Sequence, residues 1–527
     1  MSERIKDRHA ASAMKQALTF VILTGALSAL LWFGWSQINH HNFPSAMPSL
    51  DMGPSTTVGI HGTGPSSLDT RNTHDRTDPT TPEDPDSTAL RQALVSNVYE
   101  TLLSRDEYNR PVSGLAKSWS ISKDALKYTF KLNTEMRFSN GDALDSSDVV
   151  YSIQQQINSF GAASNANGLV NLQTVSNPAP STVVITLSQP NPRLLYALST
   201  SSGIVYDSET GTNYAKKALG SGPFTVRDFQ PRSSITLTRN SLYWGQQPAS
   251  QQVTLRYYDN IDSLRKALHE DQIQFAVLKP GDSPKPFQSD KSLKVSLGKS
   301  TSKLLIALNN DGRSIFSDAR ARQSLRYIVD TKTLVQSNPE ADEVLGGPIG
   351  PMEPGYEDLS GLFPHDLAKG SQDIDFFSPG YVGTPKFIVP QRYSALGQQL
   401  ARQINQSHLQ VTLETLDDGE FANRLRDGDY SLALTEMDQT GDAGSFANSA
   451  FGYQNGDVQR LYKAAQQARS DESYRTGMQT FARAVSQDSA CCWLYTEHSI
   501  VVSTAKTHGY PTNLVNQRLP LENLTTT

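Results

Sequence analysis

Three carboxylates spaced three residues apart raise the first question of chemistry. In "MRFSNGDALDSSDVVYSI", Met136 to Ile153, Asp142, Asp145 and Asp148 stand beside Gly141 and just ahead of an apolar-periodic stretch. A calcium loop of the EF-hand kind takes oxygen ligands at alternating positions, a Gly for its turn and a bidentate Glu at its end. The spacing here fails that pattern. Helix initiation fits instead: Asp145 as N-cap, Asp148 at the third helical position, and Val149, Ile153 and Ile157 as an apolar face. Asn140-Gly141 supplies a turn just upstream. Among other chemistry-bearing types, the ten His form no HExxH pair and no close ligand cluster, and neither a GxSxG elbow nor a Walker phosphate loop is present. No enzyme activity, metal or cofactor is therefore expected. The only two Cys are adjacent, Cys491 and Cys492, so no disulfide framework or CxxC motif exists. They are read as free thiols, one buried and one partly exposed, in preference to a strained vicinal disulfide.

The elements that must position any site belong to a chain of 527 residues, too long for one ordinary core and suggestive of several lobes. A net charge of -6 with no dense Lys/Arg block beyond the first residues gives no electrostatic footprint for nucleic acid. Ala17 to Trp35 carries no charge, and at ~1.5 Å rise per residue such a helix spans about 28 Å, close to the hydrocarbon thickness of a bilayer. Arg4, Lys6, Arg8 and Lys15 precede it and no Lys or Arg follows closely, which puts the N-terminus inside and the remainder outside the cytoplasm. The expectation is a basic N-terminus over 1–16, an uncleaved single-pass membrane helix over 17–38 and a Pro/Ser-rich tether over 39–56. A cleaved signal segment is the alternative, with "PSAM" at Pro44 to Met47 as a weak cleavage site. Arg71 to Thr88, polar and Pro-rich, reads as an exposed loop.

Beyond that loop, strand and helix patterns alternate. Leu126, Tyr128, Phe130 and Leu132 alternate with polar residues as in a half-buried strand. Val253, Leu255 and Tyr257 repeat the pattern; helical spacing at Ile261, Leu264 and Leu268 and an apolar run at Ile273 to Leu278 complete a βαβ unit. The clearest run is βαβαβ: strands at Phe387–Val389, Val411–Leu413 and Tyr430–Leu434, with helices through Leu396, Leu400 and Ile404 and through Phe421 and Leu425. Crossovers of this kind build a mostly parallel sheet, and such sheets bind ligands beyond their carboxyl ends. Thr435 to Phe446, "TEMDQTGDAGSF", leaves the last of these strands and is the first place to look for a site.

Ordered phrases then give a resemblance. Tyr99-Glu100, Pro111 with Gly114, Leu115, Ala116, Ser118 and Trp119, the "YTF.L" at Tyr128 to Leu132, and Phe138, Gly141, Leu144, Asp148 and Val149 resemble the signature region of the family 5 extracellular solute-binding proteins. These are the peptide-binding receptors of ABC importers. Gly220 to Gly245, Ser317 to Val335 and the Gly/Pro-rich Gly346 to Tyr356 extend the likeness, which covers nearly everything after residue 56.

The resemblance implies an α/β, two-lobed, periplasmic-binding-protein-like fold with a hinge and an extra inserted domain. Residues 57–88, 205–278 and 490–527 would form the first lobe, 89–204 the extra domain and 279–489 the second lobe. It implies a monomer outside the cytoplasm that closes around a peptide or other small solute and delivers it to ABC permease subunits. An acidic side chain would hold the peptide's α-amino group. The family's acidic segment corresponds here to "DQTGDAGSF", where Gln439 falls near the expected first carboxylate, Ala443 replaces a Pro, and Asp442 and Asp438 are the carboxylates within reach. Trp493 and Tyr495, near the final hinge return, are expected at the cleft, whereas Trp119 and Trp244 are expected in core packing. Non-peptide solutes such as metal chelates, haem, sugars or opines, and a surface signalling or chaperone-like role, remain alternatives under the same resemblance.

Overall fold

A computed structural model describes residues 54–71, 78–80, 84–160, 168–376 and 384–527. The expected membrane helix lies outside them, and among the described residues no helix is long and apolar enough to cross a membrane. Local expectations first meet the structure at Asp145. Its Oδ1 accepts the backbone N–H of Ser147 at 2.7 Å, while Asp148 Oδ2 accepts that of Asp145 at 2.9 Å, a reciprocal cap on the helix Ser146–Phe160. Val149 and Ile153 point into the core beneath it. The helix lies against a four-stranded antiparallel sheet in the order Ala116–Ile121, Lys127–Leu132, Thr182–Leu187, Leu172–Ala179. Within Lys127–Leu132 the residues Tyr128, Phe130 and Leu132 are buried and the two Lys exposed, so the period of two is realised.

Two larger sheets carry the rest. The first has seven strands in the order Leu293–Gly298, Ser499–Thr504, Phe275–Val277, Ser55–His61, Gln252–Tyr258, Ser234–Arg239, Phe224–Gln230. Its βαβ unit runs through the helix Ile261–His269, capped by Asn260 and buried at Leu264, Ala267 and Leu268. The two strands of that unit are not neighbours, because Ser55–His61 lies between them and pairs parallel with both. The second sheet has six strands: Ala341–Val344, Cys491–Glu497, Lys303–Leu308, Leu432–Met437, Lys386–Pro390, Thr412–Leu416. Lys386–Pro390 pairs parallel with both of the other strands of the βαβαβ run, through helices Ser394–Ile404 and Asp418–Asp427. Lys303–Leu308 is buried at every residue, as expected of a strand covered on both faces.

The lobe boundaries expected at 278/279 and 489/490 are corrected by strand membership. Leu293–Gly298 still belongs to the first sheet and Lys303–Leu308 already to the second, so one crossing occupies residues 299–302. The return is shorter: Cys491–Glu497 sits inside the second sheet, Ser499–Thr504 inside the first, and only His498 lies between. The physical reason for the second shift is burial. All seven residues of Cys491–Glu497 are buried, between Ala341–Val344 and Lys303–Leu308. The Arg71 to Thr88 loop is also shorter than expected, since Asp84 accepts the N–H groups of Asp86 and Ser87 and starts the helix Pro85–Leu94.

The same strand decides the cysteines. Successive residues of a strand face opposite sides, and Cys491 and Cys492 accordingly enter the cores on opposite faces of the sheet. Both are free and both are buried, so neither is the partly exposed thiol expected. Burial pushes the Cys492 thiol up to about 12 and Cys491 upward as well.

Candidate functional site

At the two crossings the lobes enclose a cleft of about 350 Å³. Its walls are strand ends and crossings: Ile60, His61 and Val277 of the first sheet, Ser300 to Ser302 and His498 of the crossings, and Arg392, Glu436 and Asp438 of the second lobe. Gln517, in the C-terminal turn Val515–Gln517, completes the floor. The cleft thus lies beyond the carboxyl ends of strands from both sheets, among them Ser55–His61, Phe275–Val277 and Leu432–Met437.

Asp438 follows the strand Leu432–Met437 directly and is 2% exposed. Its Oδ2 accepts from Gln517 Nε2 at 2.6 Å and from Gln439 Nε2 at 3.0 Å, and its main-chain oxygen accepts from Thr301 Oγ1 at 2.6 Å. Gln439 itself is buried behind the cleft wall, with its N–H donating to Asp442 Oδ2 at 3.1 Å.

Asp442 faces inward, away from the cleft, and starts a short turn Asp442–Asn448. Its Oδ1 lies 3.1 Å from Lys303 Nζ, an ammonium with no exposed side-chain surface that also donates to Glu353 Oε2 at 2.6 Å. Glu353 further accepts the N–H groups of Gly350 at 2.8 Å and Gly441 at 3.1 Å. Two carboxylates therefore share one ammonium. Burial lifts the Asp442 carboxyl to about 7; Lys303 opposes that shift, while Glu353 and Asp438 add to it. Lys303 is pulled down by burial, but the two carboxylates outweigh this and hold it above its usual range.

A second polar cluster lies where the second lobe meets the crossing. Arg392, 23% exposed, donates to Asp418 Oδ1 at 2.7 Å and to Glu436 Oε1 at 3.0 Å. Tyr393 Oη lies 2.9 Å from both Glu436 Oε2 and Glu497 Oε1. One phenolic hydrogen cannot serve two carboxylates at once, and Glu497 is pushed up to about 8, first by burial and then by the neighbouring Glu436. Ser302, on the crossing, donates to Glu497 Oε2 at 2.7 Å.

Residues Asn109, Arg105 and Arg193 reach the same loop. Thr440 Oγ1 accepts from Asn109 Nδ2 at 2.7 Å and Arg105 Nη1 at 3.2 Å, and its carbonyl accepts from Arg193 Nη2 at 3.2 Å. Gly441 adopts φ 89°, and a Cβ there would collide with the Arg193 guanidinium, so both backbone and space require glycine.

Of the residues expected at the site, the structure brings Asp438 to the cleft wall and leaves Gln439 and Asp442 behind it. Trp493 and Tyr495 are corrected. Each is buried in a core, Trp493 2% exposed and edge-on to Phe446 at 5.3 Å, Tyr495 0% exposed on the other face. The cause is that cores cover both faces of this strand; a register shift, Leu304 opposing Tyr495 and Leu305 opposing Trp493, only puts the two side chains on opposite faces. Trp244 packs against the first core and donates Nε1–H to Glu100 Oε2 at 2.9 Å. Arg392, Lys303 and Gln517 were missed. For Arg392 a signal existed, because it follows the strand Lys386–Pro390 just as Asp438 follows its own.

Comparison with known proteins matches residues 110–457 to the model of the bacterial extracellular solute-binding proteins, family 5 (middle region). A Brucella ovis protein named as an ABC transporter peptide-binding protein is 26% identical over 253 residues, 46% of this chain and 47% of its own, so the match spans about half of that relative's length. An Escherichia coli K12 periplasmic protein named as D,D-dipeptide-binding is 23% identical over 440 residues, covering 77% of this chain and 84% of its own. Among solved structures, NikA from Brucella suis in complex with Fe(III)-EDTA superposes with a TM-score of 0.76 at 17% identity, over 90% of this chain and all of that one, a likeness of fold.

Proposed function

The chain belongs to the bacterial extracellular solute-binding proteins of family 5, and on that premise we propose that it is a receptor that captures short peptides between two hinged lobes for an ABC importer. The observation carrying this is the pairing of opposite charges at the cleft, with Asp438 and Arg392 at the carboxyl ends of neighbouring strands of one sheet. A short peptide is a zwitterion. Asp438 receives its ammonium as a charge-assisted hydrogen bond, and Arg392, partly exposed and already oriented by Asp418 and Glu436, faces its carboxylate end. A cleft of about 350 Å³ falls at the small end of ligand pockets, about 300 to 1,000 Å³, which suits di- and tripeptides better than long ones. The printed name of the Escherichia coli relative supports the same ligand class.

Closure pivots at residues 299–302 and His498 and is driven only by the ligand's preference for the closed form. The uncharged stretch Ala17 to Trp35 tethers the receptor outside the cytoplasm. A panel of di- and tripeptides tests the function: at one hundred times its dissociation constant a true ligand adds about 2.7 kcal/mol to stability and raises the melting temperature. Mass spectrometry of the purified protein would identify peptides that accompany it. No shift with any peptide, and none found bound, would remove the peptide reading.

One observation favours a metal chelate as the second reading. His61 and His498 both line the cleft with Nδ1 engaged, at 2.5 Å from Asp282 Oδ2 and 3.1 Å from the Gly298 carbonyl. A carbonyl only accepts, so the His498 proton sits on Nδ1 and Nε2 keeps its lone pair for a metal. Calorimetry with nickel–histidine complexes, on the native chain and on His498→Gln, separates the two readings.

A further inference from the structure

A second cavity, about 550 Å³ against 350 Å³ for the cleft, lies on the other side of the C-terminal turn. The turn Val515–Gln517 is a wall common to both: Gln517 lines the cleft and Val515 lines this cavity. Its remaining walls come from residues 96–133, from Tyr243 and Trp244, and from residues 511–522. None of these lies in the six-stranded sheet.

Glu100 gives this cavity its chemistry. Oε2 accepts from Ser221 Oγ at 2.8 Å and Trp244 Nε1 at 2.9 Å, whereas Oε1 takes one long contact, from Tyr243 Oη at 3.5 Å. A carboxylate oxygen has room for about two bonds, so Oε1 keeps acceptor capacity. Burial pushes this carboxyl up to about 7; the three donors oppose that shift, and the charge of Glu522, which also lines the cavity, adds to it. The negative charge of Glu100 is thus poorly compensated by its surroundings. Beside it Tyr243 and Trp244 form a corner, ring centroids 5.9 Å apart and planes inclined by 57°. Gly245 permits the corner, because a Cβ there would stand 2.8 Å from the Tyr243 ring.

We infer that this cavity is a second binding site, separate from the cleft, for a small primary amine in its ammonium form. An alkylammonium matches each wall. Its N–H groups donate to Glu100 Oε1, its charge faces the aromatic corner, where cation–π attraction holds it, and its alkyl body covers the rings. A hard metal ion is a poor match: calcium and magnesium call for six or more oxygens, and among the described residues no group of three or more His, Cys, Asp or Glu could hold one. An anion fits less well, because the arginines that line the cavity are already engaged. Arg105 donates to Ser199 Oγ at 2.8 Å, Asn109 Oδ1 at 2.8 Å and the Tyr196 carbonyl at 3.1 Å, and Arg518 donates to Ser96 and Ser104 at the opposite wall. Lys117, the remaining cation, is exposed at the rim.

Trp244 reports on the site directly, since its Nε1–H bonds the carboxylate that the amine would reach. With isotope-labelled indole nitrogens in the full chain, Trp244→Phe identifies that resonance among the five tryptophans. Butylamine, titrated at about pH 8, where Glu100 is ionised and the amine still charged, should shift it saturably in the millimolar range. Butanol and butyrate should not. Glu100→Gln should weaken the amine about tenfold or more, the strength of a charge-assisted bond. Glu522→Lys, at an exposed position outside the Glu100 hydrogen bonds, should abolish binding and decides the matter if Glu100→Gln fails to fold. Asp438→Asn, on the cleft wall, should leave the titration unchanged. No saturable shift, an equal shift with butanol, unchanged affinity in Glu522→Lys, or loss in Asp438→Asn each overturns the proposal. The peptide reading is decided separately, by what binds in the cleft.

Discussion

Asp438 and Asp442 lie four residues apart on one loop, and both are almost wholly buried, yet they face opposite ways. Asp438 accepts from the amides of Gln517 and Gln439 and lines the cleft; Asp442 is met by an ammonium that Glu353 also claims and lies behind it. Asp442, claimed by a buried lysine, belongs to the framework. Which side of the wall a carboxylate faces, rather than its burial or its position in sequence, separates the two.

The comparison breaks most visibly at Lys303. Lys303→Met leaves Asp442 and Glu353 buried without their cation, and loss of one partner of a buried pair costs about 3 to 5 kcal/mol. Urea unfolding of native and variant chains should show that loss; a change under about 1 kcal/mol would mean that the cluster is not structural. Next in size is Asp438→Asn. It should weaken free-amine peptides about tenfold to a hundredfold, the strength of a charge-assisted bond, and leave N-acetylated peptides and the melting temperature nearly unchanged. Asp442→Asn should do the reverse, shifting stability and treating both peptide classes alike.

A third test is pH. The folded chain holds protons on Asp442 and Glu497 up to about 7 and 8, whereas the unfolded chain releases them near 4. Between those limits the folded state binds more protons, so stability falls as pH rises. The contribution of these two groups is complete below about pH 4 and is lost as pH climbs through 7 to 8. Asp290, held near 2 by Ser292 and His269, changes only at the acid end. Denaturation midpoints measured from pH 5 to pH 8 should decline, and the decline should shrink in Glu497→Gln. The smallest effect is expected at Arg392→Lys, which keeps the charge but loses the fork between Asp418 and Glu436. A few-fold weaker affinity for peptides with a free carboxylate, and none for their amides, would sharpen the assignment of the two ends.

What could be read from the sequence divides along the same line. The βαβαβ run and the Asp145 cap were legible, because a period of 3.6 or 2 and a cap are written within a few residues. The strand-end rule located the loop that carries Asp438 and Asp442. Nothing local distinguished them. Lys303 opens a run that otherwise reads as plain buried strand, and it meets Glu353 and Asp442 50 and 139 residues further on. Gln517 reaches Asp438 across 79 residues. Trp493 and Tyr495 were expected at the cleft because nothing local shows that their strand is covered on both faces, by segments far away in sequence.

The single residue between Cys491–Glu497 and Ser499–Thr504 has a mechanical consequence. In the closure proposed above, one linkage this short and another confined to four positions would pin the fulcrum against the strand tips. Side chains beside it would scarcely travel while the outer rims swept widely, and a partner sensing the loaded state would have to grip those rims.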